Sequence, residues 1–128
     1  MNTMVKILIA EDERDIRELI LFTLKFSGFE VEVARDGSEA VEKAQQDEFD
    51  LILMDVRMPR MTGYEACDKL KEIESTKDIP IVFLSAKGQD AEVKQGIQVG
   101  AEDYILKPFA PDHLTSQIKK ILAKYGKA

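Results

Sequence analysis

Short apolar runs alternate with helix-patterned segments along almost the whole chain, and this alternation leaves few folds open. Residues 5–10, 51–54, 81–84 and 104–106 are strand-sized runs rich in Ile, Leu and Val. Val31 and Val33 alternate with Glu30 and Glu32 in a further short strand. Between the strands the period becomes helical. Ile16, Leu19, Ile20, Thr23 and Leu24 give the first helix an apolar face, and the chain turns at Gly28. Ala40, Val41 and Ala44 mark a second helix after Asp36-Gly37-Ser38, with Ser38 as the expected amino-terminal cap. A loop holding Pro59 and Gly63 leads into a helix over residues 64–72. The polar stretch 75–78 and Pro80 precede the fourth strand, and a helix over 90–99 follows it and stops at Gly100. Leu114, Ile118, Ile121 and Leu122 stripe the final helix, whose polar side carries Lys119, Lys120 and Lys124.

Runs that are apolar throughout belong to strands covered on both faces, and right-handed crossovers put each helix against the sheet. The expected class is therefore α/β: a doubly wound parallel sheet of five strands with five helices on both faces. Periodicity leaves the strand order open.

Size and charge narrow the function. A chain of 128 residues fits one domain with a substantial core, so residues 1–128 are read as a single domain with no attached effector. Eighteen basic against 24 acidic residues give a net charge of −6, which disfavours direct binding to nucleic acid or an anionic membrane. No apolar run approaches a bilayer span and the amino terminus lacks a signal-peptide pattern, so a cytoplasmic location is expected. The single cysteine, Cys67, cannot form an internal disulfide, which fits a reducing compartment, and it reads as a packing residue.

Chemistry-bearing side chains follow four of the strands: Glu11-Asp12, Asp55, Ser85 and Lys107. If those strands are parallel neighbours, their carboxyl ends share one edge of the sheet, where open α/β folds bind ligands. Crowded carboxylates repel unless a cation neutralises them. Glu11, Asp12 and Asp55 are hard oxygen donors suited to magnesium or manganese. Zinc is a poor fit, with only His113 and Cys67 as soft or imidazole ligands. An aspartate can also accept a phosphoryl group as a mixed anhydride, and Asp55, closing a strand at the middle of the presumed sheet, is best placed to do so. Lys107 offers a fixed cation and Ser85 a hydrogen-bond donor to phosphoryl oxygens. Taken singly each signal has a plain alternative: an acid at a helix start, a loop cap, an exposed lysine before proline. Their joint occurrence in this order carries the case.

On these residues the chain resembles a response-regulator receiver domain of two-component signalling, over nearly its whole length. The matching motifs are Glu11-Asp12, Asp55-Val56-Arg57-Met58-Pro59 with Gly63, Ser85-Ala86, and Lys107-Pro108-Phe109. The resemblance implies the flavodoxin-like (βα)5 strand order 2-1-3-4-5, of which receiver proteins are a standard example. It implies that Asp55 takes a phosphoryl group from a phosphohistidine on a sensor histidine kinase or a histidine phosphotransfer protein. It further implies magnesium held by Asp12, Asp55 and the backbone carbonyl of Arg57, with Glu11 assisting through water, and a cis peptide before Pro108. Phosphorylation then draws the Ser85 loop inward, and Tyr104 occupies the family's aromatic switch position. The surface of the fourth helix, fifth strand and fifth helix, with Tyr104 and Lys119, is the implied contact for a downstream protein. Packing within the strand is the alternative for Tyr104. Dimerisation on phosphorylation through the fourth and fifth helices is left open.

Two other functions are less well supported. Phosphatases that form a phosphoaspartate use Asp-x-Asp, whereas the second residue after Asp55 is Arg57. A flavin or nucleotide carrier needs a phosphate-cradling loop where this chain has an acidic pair. Arg57 and Lys87, two residues after Asp55 and Ser85, are long cations able to pair with the phosphoryl group or obstruct attacking water; solvated surface cations are the alternative.

Overall fold

Five parallel strands form the centre of the computed structural model, in the order β2-β1-β3-β4-β5. The structure describes residues 4–86, 103–107 and 110–127; Ser85, Ala86, Asp103, Leu106 and Lys107 are described by backbone alone. The strands are β1 (Lys6–Ala10), β2 (Glu30–Ala34), β3 (Leu51–Asp55), β4 (Ile81–Ala86) and β5 (Asp103–Lys107). The helices α1 (Arg14–Phe26), α2 (Gly37–Gln46) and α3 (Gly63–Glu72) follow the first three strands, and Pro111–Lys124 forms the C-terminal helix. The expected helix over 90–99, the stop at Gly100 and the peptide before Pro108 lie outside the described residues.

Strand side chains divide the core by their period of two. Leu8, Ile52, Met54, Ile81 and Phe83 pack on one face with Ala40 and Ala44 of α2 and Ala66, Cys67 and Leu70 of α3. Ile7, Ile9, Leu51, Leu53, Val82 and Leu84 pack on the other with Ile20 and Leu24 of α1 and Leu114, Ile118, Ile121 and Leu122 of the C-terminal helix. Burial on both faces is why β1, β3 and β4 read as continuous apolar runs. Cys67 is buried in this core, as expected.

Two local readings need correction. The cap of α2 is Asp36, whose carboxylate accepts from the Glu39 backbone N–H at 2.8 Å, while Ser38 sits exposed in the first turn. Asp36 prevails because its backbone is extended, at φ −156° and ψ 175°, with its side chain reaching over the helix start. On α1, Ile20 and Leu24 are buried but Leu19 is 45% exposed, and Phe22 (65%) and Phe26 (96%) extend an outward apolar stripe. The sheet covers only one side of α1, so Leu19 falls beyond the covered arc.

Candidate functional site

Parallel register brings the chemistry-bearing strand ends to one edge. Ala10 pairs with Met54 and Asp55 with Leu84, so Glu11 and Asp55 emerge side by side from β1 and β3. The backbone N–H of Glu11 donates to Ala34 O at 3.0 Å and that of Val56 to Leu84 O at 3.2 Å, which anchors both strand ends to their outer neighbours. From β1 the chain crosses to β2 on one side of the sheet, whereas β3 lies on the other. The crevice outside the carboxyl ends of β1 and β3 is therefore the topological switch point, where open sheets of this kind bind ligands.

Glu11, Asp12 and Asp55 meet there, with one carboxylate oxygen from each lying within 4.8 Å of the others. Among the described residues this is the group of acids arranged to hold a metal ion. Glu11 is fully buried and Asp55 only 6% exposed, while Asp12 faces solvent. Glu11 Oε2 accepts from the Glu13 N–H at 3.2 Å, and Arg17 Nη1 donates to the backbone oxygens of Glu11 (3.1 Å) and Asp12 (3.3 Å), which steadies the turn into α1. Three anionic groups this close, two of them shielded from water, suit a hard divalent cation with several oxygen ligands. A cleft of about 530 Å³ opens beside them, lined by Asp12, Val56, Arg57, Met58, Pro59, Thr62 and Tyr64. Arg57 is exposed, whereas Met58 is buried in the core, so its role is packing.

The loop after Asp55 is held tightly. The Gly63 N–H donates to Val56 O at 2.9 Å, and α3 begins with a capping box in which Thr62 Oγ1 accepts from Glu65 N (3.2 Å) and Glu65 Oε1 from Thr62 N (3.0 Å). The Thr62-x-x-Glu65 spacing is a readable helix-start signal that sequence reasoning passed over. Arg60 Nη1 reaches across to Asp36 Oδ2 at 2.6 Å. The Glu39 backbone N–H, and then the Arg60 guanidinium, hold the Asp36 carboxyl below the usual carboxylate range. A folded-state pKa below the unfolded one stabilises the fold above the unfolded value of about 3.9, and this contribution is lost as pH falls through the folded value. The stability difference between wild type and Asp36→Ala is therefore expected to be greatest above roughly pH 4 and to shrink on acidification. Urea unfolding from pH 7 to 2 checks this, and a gap that stays constant with pH counts against it.

The remaining expected residues follow the same edge. Ser85 pairs with Leu106 and Ala86 with Lys107, so Ser85 is one position past the partner of Asp55, and Lys107 closes β5 alongside. The side chains of Ser85 and Lys107, and all of Lys87, lie outside what is described. Tyr104 is opposite Phe83 in register and packs, half-buried, against the α2–α3 side of the core. Phe83 in turn meets Tyr64 edge-on, with ring centroids 5.3 Å apart at 79°. His113 is exposed in the first turn of the C-terminal helix, with Nε2 3.4 Å from Gln117 Nε2.

Comparison with known proteins gives consistent similarities. The family model described as the response regulator receiver domain matches residues 7–119. The chain is 42% identical over 120 residues to the phosphate regulon transcriptional regulatory protein PhoB of Pseudomonas aeruginosa, covering 94% of this chain and 52% of that one. It is 37% identical over 128 residues to the probable transcriptional regulator ycf27 of Guillardia theta, covering 100% of this chain and 49% of that one. The chain thus spans about half the length of these relatives. Among solved structures, the chemotaxis response regulator CheY4 of Vibrio cholerae superposes with a TM-score of 0.88 at 38% identity, over 93% of this chain and 99% of that one. A putative response regulator from Chloroflexus aurantiacus gives a TM-score of 0.90 at 33% identity, over 94% and 99%.

Proposed function

This chain belongs to the response regulator receiver family, phosphorylation-activated switches of two-component signalling, and on that premise we propose that Asp55 is its phosphoryl acceptor. The observation that carries the reading is the meeting of the Glu11, Asp12 and Asp55 carboxylates, within 4.8 Å of one another, at the crevice between β1 and β3. Family members bind magnesium through acidic residues. Here Glu11, Asp12, Asp55 and the carbonyl of Arg57 are the groups to hold it, and manganese fits the same oxygens. When bound, the cation neutralises the clustered acids and the charge on the phosphoryl oxygens.

The chain's own residues supply the rest. A carboxylate oxygen of Asp55 attacks phosphorus, and the new O–P bond forms as the P–N bond to the donor imidazole breaks. The bonding pair leaves with the histidine nitrogen, which takes up a proton. Lys107 and the Ser85 hydroxyl bind phosphoryl oxygens as charge redistributes. The donor is a sensor histidine kinase or a histidine phosphotransfer protein. The phosphorylated form presents the surface around the fifth strand and C-terminal helix, with Tyr104, to a downstream protein or a second copy. Cys67, the single cysteine, is buried in the core, which suits a reducing compartment such as the cytoplasm. Among the described residues no helix is long and apolar enough to cross a membrane.

Intact-protein mass after incubation with acetyl phosphate tests the assignment. A gain of one phosphoryl group that requires magnesium and is removed by hydroxylamine is expected, with the modified peptide containing Asp55. A gain stable to hydroxylamine, or none from any phosphohistidine donor, refutes it. Arg57, exposed at the rim of the cleft, adds a second expectation: its cation shields the acyl phosphate from water, so Arg57→Ala shortens the phosphoryl lifetime by roughly two- to fivefold. An equal or longer lifetime in the variant makes Arg57 a solvated surface cation.

A further inference from the structure

The loop between Asp55 and α3 is tied to α2 by contacts that lie away from the carboxylates themselves. Arg60 is the one non-glycine residue of positive φ among the described residues, at 67°. Across it the Met61 N–H donates to Pro59 O at 2.7 Å, closing a three-residue turn of the rarer, strained hand. A backbone held there persists only where its surroundings over-determine it. The surroundings here are α2. The Arg60 guanidinium bonds the Asp36 carboxylate at 2.6 Å, and Asp36 is buried, at 7% exposure, with its carboxylate already fixed by its bond to Glu39 N. Next to it, the helix start passes so close that a Cβ on Gly37 falls 2.4 Å from Met61 O.

We propose that Arg60 and Asp36 are positioning residues for the ion site: their pair holds the strained turn, and with it the backbone of Arg57, in the conformation that binds the cation. The inference rests on the reading above that Arg57 contributes its carbonyl. A loop released from this pair spends part of its time in conformers that do not bind, and the apparent dissociation constant rises in inverse proportion to the competent fraction.

Two variants separate this from a structural role. Arg60→Ala removes the pair while leaving the α2 cap and a Cβ at the turn. Asp36→Asn keeps an oxygen to accept from Glu39 N but removes the charge facing Arg60. Magnesium titrations followed by amide NMR shifts are expected to show a roughly fivefold weaker dissociation constant in each, with Arg60→Lys intermediate. The double variant is expected to be no weaker than either single one, because both remove the same interaction. The Arg60 side chain is mostly exposed, so the melting temperature of Arg60→Ala stays near wild type. Wild-type affinity in Arg60→Ala overturns the proposal, as do effects that add in the double variant or weakening confined to Asp36→Asn. No ion binding by wild type overturns both this inference and the site assignment beneath it; magnesium binding and Asp55 phosphorylation in wild type with unchanged affinity in Arg60→Ala overturn the inference alone.

Discussion

Asp55→Asn is expected to gain no phosphoryl group from acetyl phosphate and magnesium, under conditions that saturate wild type. The amide keeps the shape of the side chain, but its oxygen is a far weaker nucleophile than a carboxylate, so chemistry is lost with little change in packing. The same substitution has an opposite effect on stability. Two unit charges no more than 4.8 Å apart repel by about 3 kcal/mol or more at the effective dielectric near a protein surface. Local hydrogen bonds and salt absorb much of this, which leaves a net gain of about 1 kcal/mol on removing one charge from the cluster. In magnesium-free buffer Asp55→Asn should therefore melt roughly 4 °C above wild type. Adding magnesium should raise the wild-type melting temperature more than that of the variant, because a ligand stabilises the state that binds it. Mass spectrometry and thermal melts with and without chelator check both halves. Phosphorylation of Asp55→Asn at the wild-type level moves the acceptor elsewhere.

Gly63→Ala is expected to be strongly destabilising, since among the described glycines Gly63 has the tightest surroundings for an added methyl. A Cβ at Gly63 lies 2.2 Å from Asp55 O, 3.1 Å from Asp55 C and 3.0 Å from Val56 Cα. All three are backbone atoms of the strand end, so no side chain can swing aside. Either α3 or the end of β3 must shift, and both are packed in the core. Forcing an extra methyl into rigid surroundings costs about 2–3 kcal/mol. The better helix propensity of alanine returns at most about 1 kcal/mol. The steric cost wins, and the melting temperature should fall by roughly 5–10 °C. Because the displaced carbonyl belongs to Asp55, the phosphorylation rate of the folded fraction should fall as well. A variant melting within about 2 °C of wild type, with an unchanged rate, shows that the overlap relaxes freely.

Much of the fold was readable because the relevant signals are local. Strands β1, β3 and β4 are covered on both faces, so their sequences are unbroken apolar runs, and their ends were recognised to within one or two residues. The stripe Leu114, Ile118, Ile121 and Leu122 is buried as its period requires. Glu11, Asp12 and Asp55 are legible as a metal-binding set because carboxylates crowded at one sheet edge need a cation to neutralise them, and the structure brings them together. Where two candidates were chemically equivalent, local reading failed. Asp36 and Ser38 both cap helices; the helix begins at Gly37, so the extended backbone of Asp36 sets its carboxylate over the Glu39 N–H while Ser38 falls inside the first turn. Leu19 fits the apolar stripe of α1 by period, yet how far round the helix the sheet reaches is a property of the packed protein.

Residue types and their spacing thus carried the class of the fold, the strand ends and the chemical kind of the site, since each depends on neighbours within a turn or two of chain. The order β2-β1-β3-β4-β5 is different in kind. Buried parallel strands look alike to a periodicity argument, and their pairing is set by crossovers and by which helices fill which face. The same holds for the approach of Gly63 to the Asp55 carbonyl, of Gly37 to Met61, and of Arg60 to Asp36. The Gly37 and Arg60 contacts join residues far apart in the chain, brought within reach by the packing of α2 and α3 against one face of the sheet, and the Gly63 contact depends on how the loop after β3 folds back on the strand end.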